Sequence, residues 1–259
     1  MTEIVILLPT KNEEKGLGEV IDRIPVSEIE KMGYEPRVVV VDGSSTDKTC
    51  EIAIQKGAEL IRQRTDPGKG WGFRESLKVI FNGRDLGQDL LIMLDADATY
   101  SPEDIPRFID ELKESDVVWG SRLRGEIERE AMSFTNKTGN RILSFWASLV
   151  FGKRTTDLCT GFWGFRSSKL DGLSLSAKGF TLEAELFALT IKNGLVTKEI
   201  PIDYAHRSGE SSLKWYLDGP RIFLATLKKR FEYSRRPIHD LLYVSAFSIL
   251  FISAIGMLS

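Results

Sequence analysis

Residues 90–94 read Leu-Leu-Ile-Met-Leu and then stop at Asp95-Ala96-Asp97. Five apolar side chains without polar alternation specify a strand buried on both faces, and such strands belong to helix-covered, mainly parallel sheets. Side chains alternate along a strand, so Asp95 and Asp97 share one side of its carboxyl end. That end is where open α/β sheets bind ligands. Two carboxylates this close repel, and a bound cation relieves the repulsion. Hard oxygen donors select Mg²⁺ or Mn²⁺. The competing reading is a polar strand end whose aspartates cap a helix starting at Pro102.

The rest of the first half repeats the strand–helix alternation. Strands are expected at Ile4–Leu8 (ended by Pro9), Arg37–Val41, Ala58–Ile61 and Val117–Trp119. Helical spacing is seen over Glu13–Ile24, Thr46–Lys56 (capped by Ser44, Ser45 or Thr46), about 71–81, and Pro102–Glu114. Thr65–Gly70 reads as a loop from its turn residues. The alternation predicts a mostly parallel sheet with helices on its faces. Further on, Asn140–Phe151 is a strongly apolar helix framed by Lys137, Arg141, Lys153 and Arg154. It suits either lipid headgroups or the domain core. Thr181–Lys192 is a helix and Val196–Ile202 a strand. Leu213–Tyr233 mixes aromatic and basic residues around a Gly219-Pro220 break, as one or two interfacial helices would.

The ends differ. The start, Met1-Thr2-Glu3-Ile4, lacks the basic residues of a signal peptide. From Ile238 to Leu258 the chain is almost wholly apolar, long enough for a membrane-spanning helix. Lys228-Lys229-Arg230 and Arg235-Arg236 precede it, which places that side of the membrane in the cytosol. A buried core helix is the alternative. With 35 basic and 37 acidic residues among 259, nothing points to a nucleic-acid partner. Cys50 and Cys159 have no metal-ligand spacing and form no disulfide framework.

Other strand ends carry chemistry too. Asp42, ahead of Gly43-Ser44-Ser45-Thr46-Asp47, offers a carboxylate to a nucleobase or ribose, whereas the Ser/Thr residues after it are explained by capping alone. Asn12-Glu13-Glu14 follows the first strand similarly; acidic residues at a helix N-terminus are the plainer explanation there.

Taken together, these segments resemble the inverting family-two glycosyltransferases with the GT-A fold, and most of all the polyprenol-phosphate (dolichol-phosphate) sugar synthases. The resemblance rests on Leu8-Pro9-Thr10-Lys11-Asn12-Glu13-Glu14, Val41–Asp47, Gly68-Lys69-Gly70, Leu94–Asp97, Gly120-Ser121-Arg122, Asp157 with Gly161-Phe162, and Arg207-Ser208-Gly209-Glu210-Ser211, in the family's order. It implies a nucleotide-sugar donor, a divalent metal and a lipid-phosphate acceptor. Residue by residue, it implies a donor site of Pro9, Asn12, Glu13, Asp42, Lys69 and Asp95, and a metal held by Asp95 and Asp97. The catalytic groups would be Asp97, Arg122, Arg207 and Asp157, with the arginines on phosphate groups and Asp157 near the acceptor. For an isolated arginine the default is a surface salt bridge, and for Asp157 an Asx-turn. The implied organisation is a GT-A catalytic domain over 1–210, basic amphipathic helices over 211–236 and a transmembrane helix over 237–259, with the catalytic domain at the cytoplasmic face of the cell membrane.

Two departures bear on the sugar. Ala98-Thr99 stands where mannose synthases have Leu-Gln, so the glutamine metal ligand is missing. Ser211-Ser212-Leu213-Lys214 replaces a tighter Ser-Lys-Leu. Both weaken a claim for mannose, and the first tilts the resemblance slightly towards UDP-glucose or UDP-N-acetylglucosamine over GDP-mannose. No Q-x-x-R-W segment of processive synthases is present.

An acceptor phosphate is already anionic and needs no general base. The leaving diphosphate would be met by the metal with Arg207 or Lys214, and the acceptor by Arg122 or Arg141. The Asn140–Phe151 helix, through Phe145 and Trp146, is expected to complete the lipid port. The alternatives are a relative acting on a hydroxyl, with Asp157, Glu183 or Glu185 as base, and a catalytically dead membrane-anchored binding protein. A nucleotidyltransferase is disfavoured because the loop after the first strand is acidic and lacks glycine.

Overall fold

The computed structural model describes residues 2–64, 68–82, 86–170, 173–177, 179, 181–208 and 215–233. In chain order these form β1 (Thr2–Thr10), α1 (Leu17–Asp22), α2 (Val26–Lys31), β2 (Tyr34–Asp42), α3 (Thr49–Gln55), β3 (Glu59–Arg62), α4 (Lys69–Phe81) and β4 (Leu90–Met93). There follow α5 (Ile105–Glu111), β5 (Val117–Ser121), α6 (Phe134–Phe151), β6 (Trp163–Arg166), α7 (Leu182–Lys192), β7 (Thr197–Pro201) and α8 (Trp215–Tyr233).

The strands form one sheet in the order β3-β2-β1-β4-β6-β5-β7. All neighbouring pairs are parallel except the two made by β6, which runs antiparallel to both β4 and β5. The unalternating apolar runs are explained by two cores. On one face Val5, Leu7, Val41, Leu91, Met93 and Trp119 pack with Phe73 of α4, Trp146 of α6 and Phe187 of α7. On the other, Ile4, Ile6, Leu8, Val40, Ile92 and Leu94 pack with Leu17 of α1, Ile29 of α2, Ala53 of α3 and Phe108 of α5. Successive residues of one strand thus serve opposite cores, as the two-residue period requires.

Several expectations are corrected. Pro9 does not end the first strand. The β1–β4 ladder closes with Leu7↔Met93 and the bond from Leu94 N to Leu7 O. The missing amide of Pro9 therefore falls where β4 has already left the ladder. The helix expected over Thr46–Lys56 starts at Thr49, and none of Ser44, Ser45 or Thr46 is its cap. Instead Asp47 Oδ1 accepts from Thr49 N at 3.0 Å. Strand β6 and helix α2 were not expected. Helix α8 continues through Pro220, where a break was expected.

Nor does α8 lie free. Ile222, Thr226 and Lys229 are buried. Lys229 Nζ turns inward to Glu185 at 2.6 Å, so this member of the basic cluster does not face a headgroup layer. Trp146 of α6 is also core. It is 1% exposed, stacks on Phe223 with centroids 4.5 Å apart, and its indole N–H donates to Thr226 Oγ1 at 3.2 Å. Phe145 and Phe134, by contrast, are 55% and 84% exposed. Among the described residues no helix is long and apolar enough to cross a membrane. The apolar 237–259 segment, Lys214 and the end of the Arg207–Ser211 motif lie outside the described residues.

Candidate active site

The carboxyl ends of β1, β2 and β4 open into one cavity of about 840 Å³. Pro9, Glu13, Lys69, Asp95, Asp97, Arg122 and Arg207 all line it. Elements far apart in sequence converge because the strands ending there are neighbours in the sheet, and the first turn of α4 brings Lys69 over the end of β4.

The Asp95-Ala96-Asp97 loop is held from two sides. A Cβ at Gly161 would stand 2.2 Å from Asp95 Oδ2, and one at Gly16 would stand 2.8 Å from the carbonyl oxygen of Ala96. The loop turns back at Ala98, whose φ is +62°. Thr99 donates both its backbone N–H, at 3.1 Å, and its hydroxyl, at 2.5 Å, to Asp97 Oδ1. The hydroxyl that stands in place of the glutamine ligand is therefore spent on orienting Asp97.

Each carboxylate has a cation. Lys69 Nζ sits 2.7 Å from Asp95 Oδ1 and 2.6 Å from Glu183 Oε1. Arg207 Nη2 bridges Asp97 Oδ2 at 2.8 Å and Glu13 Oε1 at 3.0 Å. Burial works to raise Asp95, but the Lys69 ammonium holds its carboxyl below the ordinary range. Asp97 goes the other way, raised by burial and then by the neighbouring Asp95 charge. Burial lifts Glu13 to about 7 against the opposing pull of Arg207. Burial raises Glu183 as well. Burial pushes the Cys159 thiol, on the cavity wall, up to about 12, so it stays protonated.

The donor set suits a hard divalent cation. Asp95 and Asp97 are two oxygen-ligand side chains on one rigid loop, and the carboxylate of Asp95 lies in a recess that exists because residue 161 has no Cβ.

Three expected site residues stand behind the wall. Asp157 is wholly buried and accepts from Arg122 N (2.9 Å), Nε (2.7 Å) and Nη2 (2.7 Å) and from Asn140 Nδ2 (2.6 Å). It orients Arg122, which lines the cavity; the surface salt bridge expected by default is a buried one. Asp42 accepts from Ser45 N at 3.2 Å, while the neighbouring Gly43 lines the cavity. Asn12, at φ +58°, accepts from Thr46 N at 2.8 Å and so ties the loop after β1 to the loop after β2. Arg141 is exposed and outside the lining. Lining residues not singled out as site groups include Gln63, at the end of β3, and Asn140. Glu183 entered only as a possible base. Its ion pair with Lys69 spans 114 positions in sequence, and no local pattern signals it.

A helix-covered sheet with an acidic pair on the loop after its central strand, facing lysine and arginine across a cleft, defines a GT-A-like α/β fold. Residues 5–173 match the family model described as glycosyl transferase family 2, and the chain belongs to that family. It is 32% identical over 219 residues to the low-salt glycan biosynthesis hexosyltransferase Agl6 of Haloferax volcanii, which covers 83% of this chain but 51% of that protein, about half its length. It is 31% identical over 230 residues to the dolichyl-phosphate hexose transferase of the same organism, covering 87% and 93% of the two chains. Among solved structures, glucosyl-3-phosphoglycerate synthase from Mycobacterium tuberculosis, in complex with Mn²⁺, UDP-glucose and phosphoglyceric acid, superposes with a TM-score of 0.67 at 20% identity. That match covers 88% of this chain and 80% of the other, and shows the shared fold.

Proposed function

We propose that this chain transfers a hexose or N-acetylhexosamine from a nucleoside-diphosphate sugar to a polyprenyl (dolichyl) phosphate, with inversion at the anomeric carbon. The observation that carries the reading is the mixed lining of the one cavity. Lys69, Asp95, Asp97, Arg122 and Arg207 line it together with the apolar Met132, Ile142, Leu143 and Ile222. A cavity that offers both charged groups for phosphates and apolar side chains suits a phosphate carried on a hydrocarbon chain.

Asp95 and Asp97 would hold Mg²⁺ or Mn²⁺, which when bound supplies electrostatic stabilisation to the departing nucleoside diphosphate. Arg207 and Lys69 add positive charge beside these carboxylates. Arg122, locked by Asp157, meets the acceptor phosphate as a preorganised cation that needs no reorganisation during reaction. Alignment of the acceptor oxygen behind the anomeric carbon contributes ~7–11 kcal/mol in favourable cases. No base is required, which fits Asp157 being occupied by four donors. For a hydroxyl acceptor the remaining base is Glu183, whose raised pKa and place on the cavity wall favour it over Asp157. Turnover that depends on Glu183 but tolerates Asp157→Asn would support that second reading.

Two supports bear on the setting. The Haloferax volcanii relative is named for dolichyl-phosphate hexose transfer, and the apolar 238–258 run with its basic flank suits attachment at the cytoplasmic membrane face. The departure around Thr99 favours a UDP-sugar. Thermal stabilisation by a panel of nucleoside diphosphates with Mn²⁺ tests the donor site. At 100 times its Kd a ligand adds about 2.7 kcal/mol, so UDP should raise Tm above the rest. A panel without any metal-dependent shift would overturn the assignment.

A further inference from the structure

Glu199 lies on β7 and takes no part in the chemistry above. Its side chain is 11% exposed. One carboxylate oxygen, Oε1, accepts from Trp119 Nε1 at 2.9 Å, Thr155 Oγ1 at 2.9 Å, Thr156 N at 2.8 Å and Asp157 N at 3.3 Å. The other accepts from Thr156 Oγ1 at 2.9 Å, with Arg124 Nη1 a further 3.8 Å away. Burying a carboxylate is costly unless it is hydrogen-bonded throughout. Here the donors belong to two places that meet at Arg122.

Trp119 is on β5, just ahead of Arg122. Thr155, Thr156 and Asp157 form the turn that presents the Asp157 carboxylate to Arg122. The hydroxyls of Ser121 and Thr156 bond to each other at 2.7 Å across the same seam. One carboxylate on β7 therefore ties the end of β5 to the turn, and the Arg122–Asp157 pair spans the junction it closes. β7 pairs with β5 through the backbone, Trp119 opposite Glu199, and that ladder needs no charge at this position.

We infer that Glu199 is a positioning residue for the phosphate-facing Arg122, acting through the 155–157 turn and Asp157. The inference rests on the cavity role proposed for Arg122, but its structural half is testable without turnover. In the full chain, the Arg122 side-chain Nε–H, assigned by its loss in Arg122→Lys, should exchange slowly because Asp157 holds it. Glu199→Gln should speed that exchange by about tenfold or more as the turn loosens. Thr156→Val, a milder change that keeps the charge, should do the same to a lesser degree, and serves if Glu199→Gln fails to fold. Unchanged Arg122 protection, with the Trp119 indole resonance shifted to prove the bonds were lost, overturns the inference.

In kinetics, Glu199→Gln should lower kcat/KM for polyprenyl phosphate about tenfold while nucleoside-diphosphate affinity stays within about twofold. In an Arg122→Lys background it should add little, since groups acting through one another are not additive. An equal penalty in both backgrounds would make Glu199 merely structural and overturn the inference. A wild-type chain inactive on polyprenyl phosphate overturns the proposed acceptor instead, and the exchange measurement still decides the role of Glu199.

Discussion

Replacing Gly161 with alanine adds one methyl group at the point where Asp95 has no room for it. The new Cβ would lie 2.2 Å from Asp95 Oδ2 and 2.6 Å from its Cγ. Gly161 itself is fixed, since its N–H donates to the buried Tyr100 hydroxyl at 2.7 Å. Its φ is not in the left-handed region, so alanine suits the backbone. The Asp95 carboxylate must therefore move. Going from 2.2 Å to the 3.4 Å of ordinary contact is a retreat of 1.2 Å. That breaks the 2.7 Å pair with Lys69 and misplaces one of the two proposed metal ligands. A displacement of about 1 Å costs on the order of 100-fold in rate, while overpacking costs about 1–3 kcal/mol of stability. The assay is Mn²⁺ binding by electron paramagnetic resonance with UDP present, followed by turnover, at a temperature where both proteins are folded. Gly161→Ala should lose Mn²⁺ affinity and about 100-fold in kcat. A folded variant that binds Mn²⁺ and turns over within about threefold of the wild type would refute the role given to this recess.

Four further outcomes are expected. Asp157→Asn leaves a buried guanidinium without its counter-charge and should cost about 3–5 kcal/mol in urea unfolding; a loss below about 1 kcal/mol contradicts the buried pair. Glu13, raised to about 7 from 4.5, binds more protons folded than unfolded between those values, so its contribution to stability is full below pH 4.5 and is lost as pH rises through 7. Glu13→Gln should flatten that fall, and identical pH profiles by denaturation contradict the assignment. Trp146→Ser should cost about 3–5 kcal/mol, as loss of a buried indole does. Phe145→Ser should leave stability within about 0.5 kcal/mol yet raise the KM for the lipid acceptor; an unchanged KM removes Phe145 from the lipid port.

Strands β2 and β4 were legible because burial on two faces leaves unbroken apolar runs, as in Val38–Val41 and Leu90–Leu94. The positions of Asp95, Asp97, Lys69 and Arg207 on one cavity followed from strand ends and motif order. What was not legible depends on partners remote in sequence. Antiparallel β6 hides in Phe162-Trp163-Gly164-Phe165, where aromatic residues and a glycine give no period. Trp146 and Phe145 are neighbours on one amphipathic helix. Only the arrival of Phe223 and Thr226 from α8 decides which of them is core. Asp157 and Asp42 share the local look of ligand-facing acids. Only Arg122 and Asn140 reveal that the lone pairs of the first are taken, whereas the second accepts from Ser45 N beside the cavity-lining Gly43. The cap at α3 was misread because Asp47 closes the turn one step later than the Ser/Thr run suggests.

The central claim is best tested by the product. Purified full chain, UDP-linked sugar, Mn²⁺ and polyprenyl phosphate should yield a polyprenyl-phosphate sugar whose anomeric configuration, read by NMR, is opposite to that of the donor, and Asp97→Asn should abolish it. Retained configuration, or sugar appearing only on a hydroxyl acceptor, would contradict direct displacement by a lipid phosphate.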